Sequence, residues 1–249
     1  METLYQFVLR LAFGLALAMA CTSPRLVTSG YYRVHTYVLL GLNVLAALVA
    51  RGLEQYGIVL PIIGAVLCYV TSIVWLNEKR RPGIVLLLVI ALTALAATYG
   101  ASSGSHQVTV ATLLAWLTPS SGGLVLGTTI AAMFLGHWYL NTPTMELAPL
   151  RRLLKLMTVA LLLRTVVSGV GLALLLSAGP RLEGLDFWLL ILRWFSGILL
   201  TLVLTWMTWK TLEVPNTQSA TGILYVAVIT TFTGELTAQL LSSRLAYPV

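Results

Sequence analysis

Eight long apolar stretches, separated by short polar loops, constrain this chain more than any other feature of its sequence. A helix needs about 20 apolar residues to cross the hydrocarbon core of a bilayer, which is about 30 Å thick. Only 9% of the residues are charged and 58% are hydrophobic, whereas a soluble domain carries about 25% charged residues. The sequence therefore predicts an all-α, polytopic integral membrane helical bundle, a single transmembrane domain over residues 1–249 with no soluble domain. The predicted spans are Thr3–Cys21, Val34–Ala50, Gly57–Leu76, Gly83–Tyr99, Gly122–Leu140, Leu153–Ala178, Phe187–Trp209 and Thr221–Ser243.

Two segments beside these spans need a separate interpretation. The opening METLYQFVLR carries no net positive charge, so the first span is predicted to be a retained helix and not a cleaved signal peptide. The stretch Ala101–Ser121 begins with the polar ASSGSHQ and continues as VTVATLLAWL. We expect its second part to form a short interfacial or re-entrant helix ahead of the fifth span.

The distribution of lysine and arginine predicts the orientation of the bundle. With eight spans, the first, third, fifth and seventh loops lie on one side, where they carry nine of these residues against three on the other side. Because cytoplasmic loops are enriched in lysine and arginine, both termini are predicted to face outward, in a bacterial-type inner (cytoplasmic) membrane. The net charge of +7 follows from this topology signal, so we expect no nucleic-acid partner.

Two histidines are predicted to lie at similar depth near the cytoplasmic ends of different helices. His35 begins the second span, close to Arg33, and His137 ends the fifth, beside Tyr139. Two histidines on facing helices are the axial ligands that one b-type haem requires, and His and Tyr side chains also exchange protons with a quinone. A third interpretation is structural, with both histidines bonded to loop carbonyls in an interfacial aromatic belt. The sequence leaves these alternatives open.

Charged residues within the spans predict a second site, toward the outer leaflet. Arg10, Arg193 and Glu235 lie at matching depths in spans one, seven and eight, and Gln239 lies one helical turn beyond Glu235. A charge at bilayer depth is costly unless it is paired or lines a wet cavity. The group is therefore predicted to form an intramembrane ion pair, either structural, or able to handle protons or quinone, or part of a substrate pathway. Arg164 lies deep in span six, and the sequence indicates no acidic partner for it.

The strings LGHWYL at Leu135–Leu140 and TGELTAQL at Thr233–Leu240, set in eight short-looped spans, resemble the quinol-oxidising membrane anchors of molybdenum-enzyme complexes. These are the DMSO-reductase anchor and polysulfide-reductase (NrfD-like) families. The resemblance implies that Glu235 or His106, on the outer side, accepts protons from quinol. It also implies a partner subunit that carries Fe–S clusters or haem.

The sequence contains no motif of a self-contained enzyme, such as a phosphate-binding glycine loop or a zinc-binding HExxH. We therefore expect a membrane subunit of a respiratory or photosynthetic-type electron-transfer complex, which anchors partner subunits and binds quinone. It would be catalytic only as the quinol-reactive subunit of that complex. Two other classes remain: a non-catalytic scaffold subunit of a membrane assembly, and a secondary transporter that uses Arg10, Arg193 and Glu235. No metal site is predicted apart from the haem alternative.

Overall fold

Helices form all of the regular secondary structure in the part of the chain that the computed structural model describes, which is residues 1–53, 57–100, 110–142, 144–179, 182–245 and 247–248. In that part, eight helices are long and apolar enough to cross a membrane, so the predicted polytopic helical bundle is confirmed. They are α1 (Glu2–Cys21), α2 (Ser29–Ala50), α3 (Val59–Leu76), α4 (Arg80–Tyr99), α5 (Val110–Asn141), α6 (Ala148–Ser177), α7 (Leu185–Glu213) and α8 (Thr217–Ser242). Within α7, the segment Arg193–Leu200 is a π-helix.

The helices pack as two groups of four that follow each other along the chain. In the first half, α1 to α4, each helix packs against the next and α4 returns to α1. In the second half, α5 packs against α6 and α8, while α7 packs against α6 and α8. The two halves meet mainly along α1 and α5. Because each half has an even number of helices, the two halves run through the bundle in the same direction, as in parallel repeats.

Close contact between α1 and α5 depends on small residues. A Cβ atom on Gly14 would lie 1.7 Å from the carbonyl oxygen of Gly123, and one on Gly127 would lie 1.8 Å from the carbonyl carbon of Gly14. Small residues let membrane helices approach until their backbones touch, which increases van der Waals contact. These glycines therefore place α1 against α5, at the junction of the two halves.

The fifth helix is longer than the sequence indicates. The string VTVATLLAWL, residues 108–117, was expected to form a separate short helix, but its described residues 110–117 are the first turns of α5, which continues through Pro119. Residues 101–109 lie outside the described residues. A proline removes one backbone donor and kinks a helix, but neighbouring groups in membrane bundles compensate for it. The hydroxyl of Tyr99 on α4 donates to the carbonyl of Trp116 near the proline, whereas the carbonyl that Pro119 leaves without its helical donor is that of Ala115.

Large apolar side chains cover the outside of the bundle. Val59, Leu92, Val159 and Ile229 are each more than 60% exposed, although they lie within four different helices. Such surfaces are unfavourable in water and are normal where helices contact lipid. The outer surface of the bundle is therefore suited to contact with a lipid bilayer.

We expect residue 79 to be shielded from an impermeant reagent in intact cells and residue 243 to be accessible to it, since the positive-inside rule places the α3–α4 loop in the cytoplasm. Lys79→Cys and Ser243→Cys, both exposed positions, can be compared in a background where Cys21 is replaced by serine and Cys68 by alanine. Labelling with a membrane-impermeant maleimide before and after lysis gives the result. Labelling of residue 79 alone in intact cells would reverse the predicted orientation.

Candidate functional site

A carboxylate and two guanidinium groups meet inside the second half of the bundle. Glu235 on α8 accepts two hydrogen bonds from Arg164 on α6, at 2.9 Å from Nε to Oε1 and 3.0 Å from Nη2 to Oε2. Nη2 of Arg193 on α7 lies 3.1 Å from the same Oε1 and donates to Ser168 Oγ at 3.2 Å. The side-on pair between Arg164 and Glu235 has the bidentate geometry in which these groups interact strongly. We call Arg164, Arg193 and Glu235 the charge cluster.

The charge cluster is almost completely removed from its surroundings. Arg164 is 1% exposed, and Arg193 and Glu235 are 0% exposed. Burying charged groups is costly, and only good geometry with hydrogen bonds offsets that cost. Two arginines against one glutamate leave a formal charge of +1, and the charge of Arg10 on α1 also acts on Glu235. The site thus carries more positive charge than its own carboxylate balances, which favours an anion or a carbonyl oxygen as ligand.

The π-helical segment of α7 begins at the arginine of the cluster. π-Helices are rare and occur frequently at functional sites. In this segment Gly197 packs directly on α8, where an added Cβ would lie 2.6 Å from Gly234 Cα and 2.7 Å from Arg193 Nη1. Thr201 Oγ1 donates to the carbonyl of Ser196 at 3.1 Å, five residues earlier. The altered helix therefore brings α7 against α8 and directs the Arg193 guanidinium to Glu235.

Helix α5, the remaining helix of the second half, leaves room for the Glu235 carboxylate. A Cβ atom on Gly122 of α5 would lie 2.5 Å from Glu235 Oε2, so any larger residue would displace the carboxylate or α5 itself. All four helices of the second half thus meet at Glu235: α6 and α7 by their arginines, α8 by the glutamate and α5 by a glycine.

Buried polar groups without partners adjoin the charge cluster. Gln239 is 7% exposed, and neither atom of its amide has a hydrogen-bond partner among the described residues. The same holds for Nε and Nη1 of Arg193 and for Oγ1 of Thr118. Leaving such a group buried and unsatisfied costs about 1–3 kcal/mol. Their presence on residues of the charge cluster or within about one helical turn of Glu235 or Gly122 indicates a role in holding a ligand or ordered water.

A cavity of about 260 Å³ lies beside these groups, toward the end of the bundle that carries the chain termini. Its lining includes Arg10 of α1, Thr118 and Pro119 of α5, and Ser242 at the end of α8. Thr118 precedes Gly122 by one helical turn, and Ser242 follows Gln239 by about one turn. The lining of the cavity therefore comes within about one helical turn of Gln239, and its volume is close to the lower end of the range for ligand sites, about 300–1,000 Å³.

The arrangement differs in one respect from the group expected at the outer leaflet. Arg193 contacts Glu235 directly and Arg10 lines the neighbouring cavity, but the bidentate partner of Glu235 is Arg164. The sequence indicated no partner for Arg164, because it lies 13 residues before the end of α6 whereas Glu235 lies only 7 before the end of α8. The two residues can still meet, because helices α6 and α8 need not end at the same level and because the guanidinium side chain is long.

His35 and His137 do not converge on a common ligand position. The His35 ring stacks on Phe134 with centroids 4.4 Å apart, and its Nδ1 lies 2.7 Å from the carbonyl oxygen of Tyr31. His137 is exposed, with Nδ1 3.2 Å from the hydroxyl of Tyr225 on α8. A shared haem would need both rings to face one iron across a flat cavity, and Phe134 covers His35 instead. The residues present do not fit a bis-histidine haem. Neither histidine is bonded to a loop carbonyl either, because the partner of His35 is a carbonyl within α2 and that of His137 is a tyrosine hydroxyl.

The other residues expected near a cofactor are separated from the charge cluster. Arg33 is partly exposed on α2, and the buried Tyr139 donates its hydroxyl to the carbonyl of Glu146 in the α5–α6 loop. His106 lies outside the described residues. Within the described ranges, no three His, Cys, Asp or Glu side chains are grouped so that they could hold a metal ion.

Comparison with known proteins adds no relative from which a role could be transferred to the cluster. No protein-family model matches the chain, and no curated protein and no solved structure is significantly similar to it.

Proposed function

We propose that this protein is an integral membrane subunit of an electron-transfer complex and that it binds a quinone or quinol beside the charge cluster. One observation carries the proposal: Arg193 and Gln239 carry buried polar atoms without partners among the described residues, and Gln239 lies about one helical turn from Ser242, which lines a cavity. A quinone has an apolar ring with carbonyl oxygens, so it suits an apolar bundle that offers a few hydrogen-bond donors. A quinone can also reach such a site from the lipid.

The chain's own residues would bind and orient the ring. Nη1 and Nε of Arg193 are donors for one carbonyl oxygen, and the Gln239 amide offers both a donor and an acceptor. Glu235 Oε2 accepts one hydrogen bond, from Arg164, so it retains capacity to accept a second one from a quinol hydroxyl. Oxidation of quinol to quinone releases two protons and two electrons. The protons would leave through the outer cavity, repelled by the positive charge of the cluster, and the electrons would pass to a redox group in a partner subunit.

This proposal requires partner subunits and a membrane that contains quinone. An energy-conserving bacterial-type inner membrane meets both requirements. The arginine-rich loops would face its cytoplasmic side, which leaves the cavity at Arg10 on the outer side. The protein then supplies the anchor and the quinol site, and the partner supplies the oxidant.

We expect Gln239→Leu to weaken quinone binding at least tenfold while raising the free energy of unfolding by about 1–3 kcal/mol, because it removes a buried amide that has no partner. Binding of a short-chain ubiquinone and a menaquinone analogue to the detergent-solubilised protein measures the first effect. Denaturant titration measures the second. The opposite signs of the two effects separate a lost ligand contact from a damaged fold.

Gln218→Leu is the matched control, since Gln218 is exposed near the start of the same helix. It should leave both binding and stability unchanged. If the wild-type protein binds neither quinone, or if Gln239→Leu binds as well as wild type, the quinone site is wrong. A stabilised Gln239→Leu variant without any measurable ligand would then point to the scaffold alternative.

A second candidate is an anion transporter, which the π-helical segment favours. Interrupted helices beside charged groups line the substrate sites of many secondary transporters, and Arg193 begins such an interruption. Proteoliposomes containing the chain alone distinguish the two functions. Uptake of a small organic or inorganic anion that is lost in Arg193→Gln would support transport, whereas quinone binding without any anion flux supports the electron-transfer subunit.

A further inference from the structure

A large basic cavity lies at the opposite end of the bundle from the Arg10 cavity. It has a volume of about 690 Å³ and is lined by the segment between α1 and α2, the first turn of α4 and the start of α6. Four arginines contribute to it: Arg25, Arg80, Arg81 and Arg152. No part of it belongs to the charge cluster or to the quinone proposal.

In the described part of the chain, the four arginines have no acidic partner. Among the described residues, none of them lies within salt-bridge distance of a carboxylate, whereas Lys210 and Arg244 each pair with one. All four are exposed, so each is free to turn toward a ligand at little cost. Arginine presents a planar fork of donors that matches phosphate oxygens. Four arginines around one cavity therefore attract a phosphate group strongly.

Backbone and apolar groups complete the cavity. The first turn of α4 has Lys79 as its N-cap without a side-chain hydrogen bond, so the amide N–H groups of Arg80 and Arg81 are available to an anion. Ile84 and Val85, one turn further along α4, form an apolar wall of the same cavity. A charged rim followed by an apolar wall is the chemistry of a lipid with a phosphate headgroup.

A second basic cavity adjoins the first. It has a volume of about 570 Å³, is lined by Arg151, Arg152 and Lys155, and contains one acidic residue, Glu146. Arg152 lines both cavities. The basic surface therefore extends along the start of α6, beyond the space that a single phosphate would occupy.

We propose that the cavity lined by Arg25, Arg80, Arg81 and Arg152 binds a phosphate group, carried either by an anionic phospholipid at the cytoplasmic leaflet or by a free phosphate compound. Basic pockets between membrane helices on that side are suited to anionic headgroups, and each arginine near the surface strengthens the attraction. The lipid would hold α1, α4 and α6 together from the membrane surface. This site is independent of any ligand at the charge cluster.

Nanodiscs containing equal parts of phosphatidylglycerol and phosphatidylcholine test the proposal with the full chain. After extraction, the lipids that remain bound are identified by native mass spectrometry. We expect phosphatidylglycerol to be enriched on the wild-type protein, and its apparent affinity to fall about fivefold for each of Arg80→Gln, Arg81→Gln and Arg152→Gln. Lys79→Gln is the matched control: it removes the same charge from the adjacent exposed residue, which does not line the cavity.

A second measurement distinguishes the two sources of phosphate. Inorganic phosphate and pyrophosphate are added to the delipidated protein. Thermal stability is recorded for the wild type and for the triple variant, which combines Arg80→Gln, Arg81→Gln and Arg152→Gln. Stabilisation of the wild type alone by these salts supports a free phosphate compound, and stabilisation by phosphatidylglycerol alone supports a lipid. Equal lipid enrichment on the wild type and the triple variant, together with no response to either salt, would overturn the site.

Discussion

Glu235→Ala is expected to lower the free energy of unfolding by about 3–5 kcal/mol, because it leaves two buried guanidinium groups without a counter-charge. Arg164 and Arg193 are 1% and 0% exposed, so neither reaches water unless the helices separate. Denaturant titration in detergent micelles, followed by circular dichroism, measures the change. Glu235→Gln should fall between wild type and alanine, since the amide oxygen still accepts a hydrogen bond but carries no charge.

Two further variants make this result specific. Glu213→Ala removes a carboxylate that is 52% exposed and paired with Lys210, and an exposed pair of this kind contributes at most about 1 kcal/mol. The combined variant Arg164→Met, Arg193→Met, Glu235→Leu replaces the whole charge cluster by apolar side chains and should regain most of the lost stability. If Glu235→Ala were as mild as Glu213→Ala, the cluster would not be the buried ion network described above.

The combined variant also separates structure from function. If the protein is a scaffold subunit, the combined variant should keep both its stability and its assembly with partners. If the charge cluster binds a quinone or an anion, the combined variant should still fold but should no longer bind that ligand. Measuring stability and binding on this one variant therefore decides whether the charges serve the fold alone.

Gly14→Ala is the second substitution for which we expect a large effect. The added methyl group would lie 1.7 Å from the carbonyl oxygen of Gly123, and backbone atoms cannot move aside as a flexible side chain can. We expect a loss of about 1–3 kcal/mol from overpacking, measured by the same titration.

Gly41→Ala provides the control for helix propensity. Gly41 lies inside α2, and a Cβ there would meet no atom within 4 Å. Alanine is the better helix former by about 1 kcal/mol, so this variant should be neutral or slightly more stable. Equal effects of Gly14→Ala and Gly41→Ala would show that α1 and α5 are not in backbone contact.

The span count could be predicted because it depends on local composition. Each apolar stretch is long enough to cross a bilayer on its own, and no knowledge of its neighbours is needed. The extension of α5 to Val110 was missed because Pro119 and the small polar residues around it resemble a loop. The hydroxyl of Tyr99, remote in sequence, contacts the helix one turn before the proline. The division into two groups of four helices follows from how the helices pack. No repeat in the sequence indicates it.

The site was only partly predictable for the same reason. Counting residues from helix ends placed Arg193 level with Glu235, and the two are in contact. The same counting separated Arg164 from Glu235, since it takes no account of helix tilt or side-chain length. It also placed His35 and His137 at similar depth, although depth does not determine the direction in which a ring faces. The π-helix at Arg193 has no signature in the residue pattern, and the role of Gly122 appears only when α8 is beside it.

The uncompensated positive charge of the cluster has a consequence for the electrical behaviour of the membrane. In a medium of low dielectric constant a fixed unit charge repels like charges strongly over several ångströms, and positively charged groups in a pore exclude protons and cations for this reason. Sodium, potassium and hydronium ions entering from the Arg10 cavity would meet this repulsion before they reached the level of Glu235. We therefore expect the second half of the bundle to repel cations at this level, while a neutral or anionic molecule meets no such repulsion.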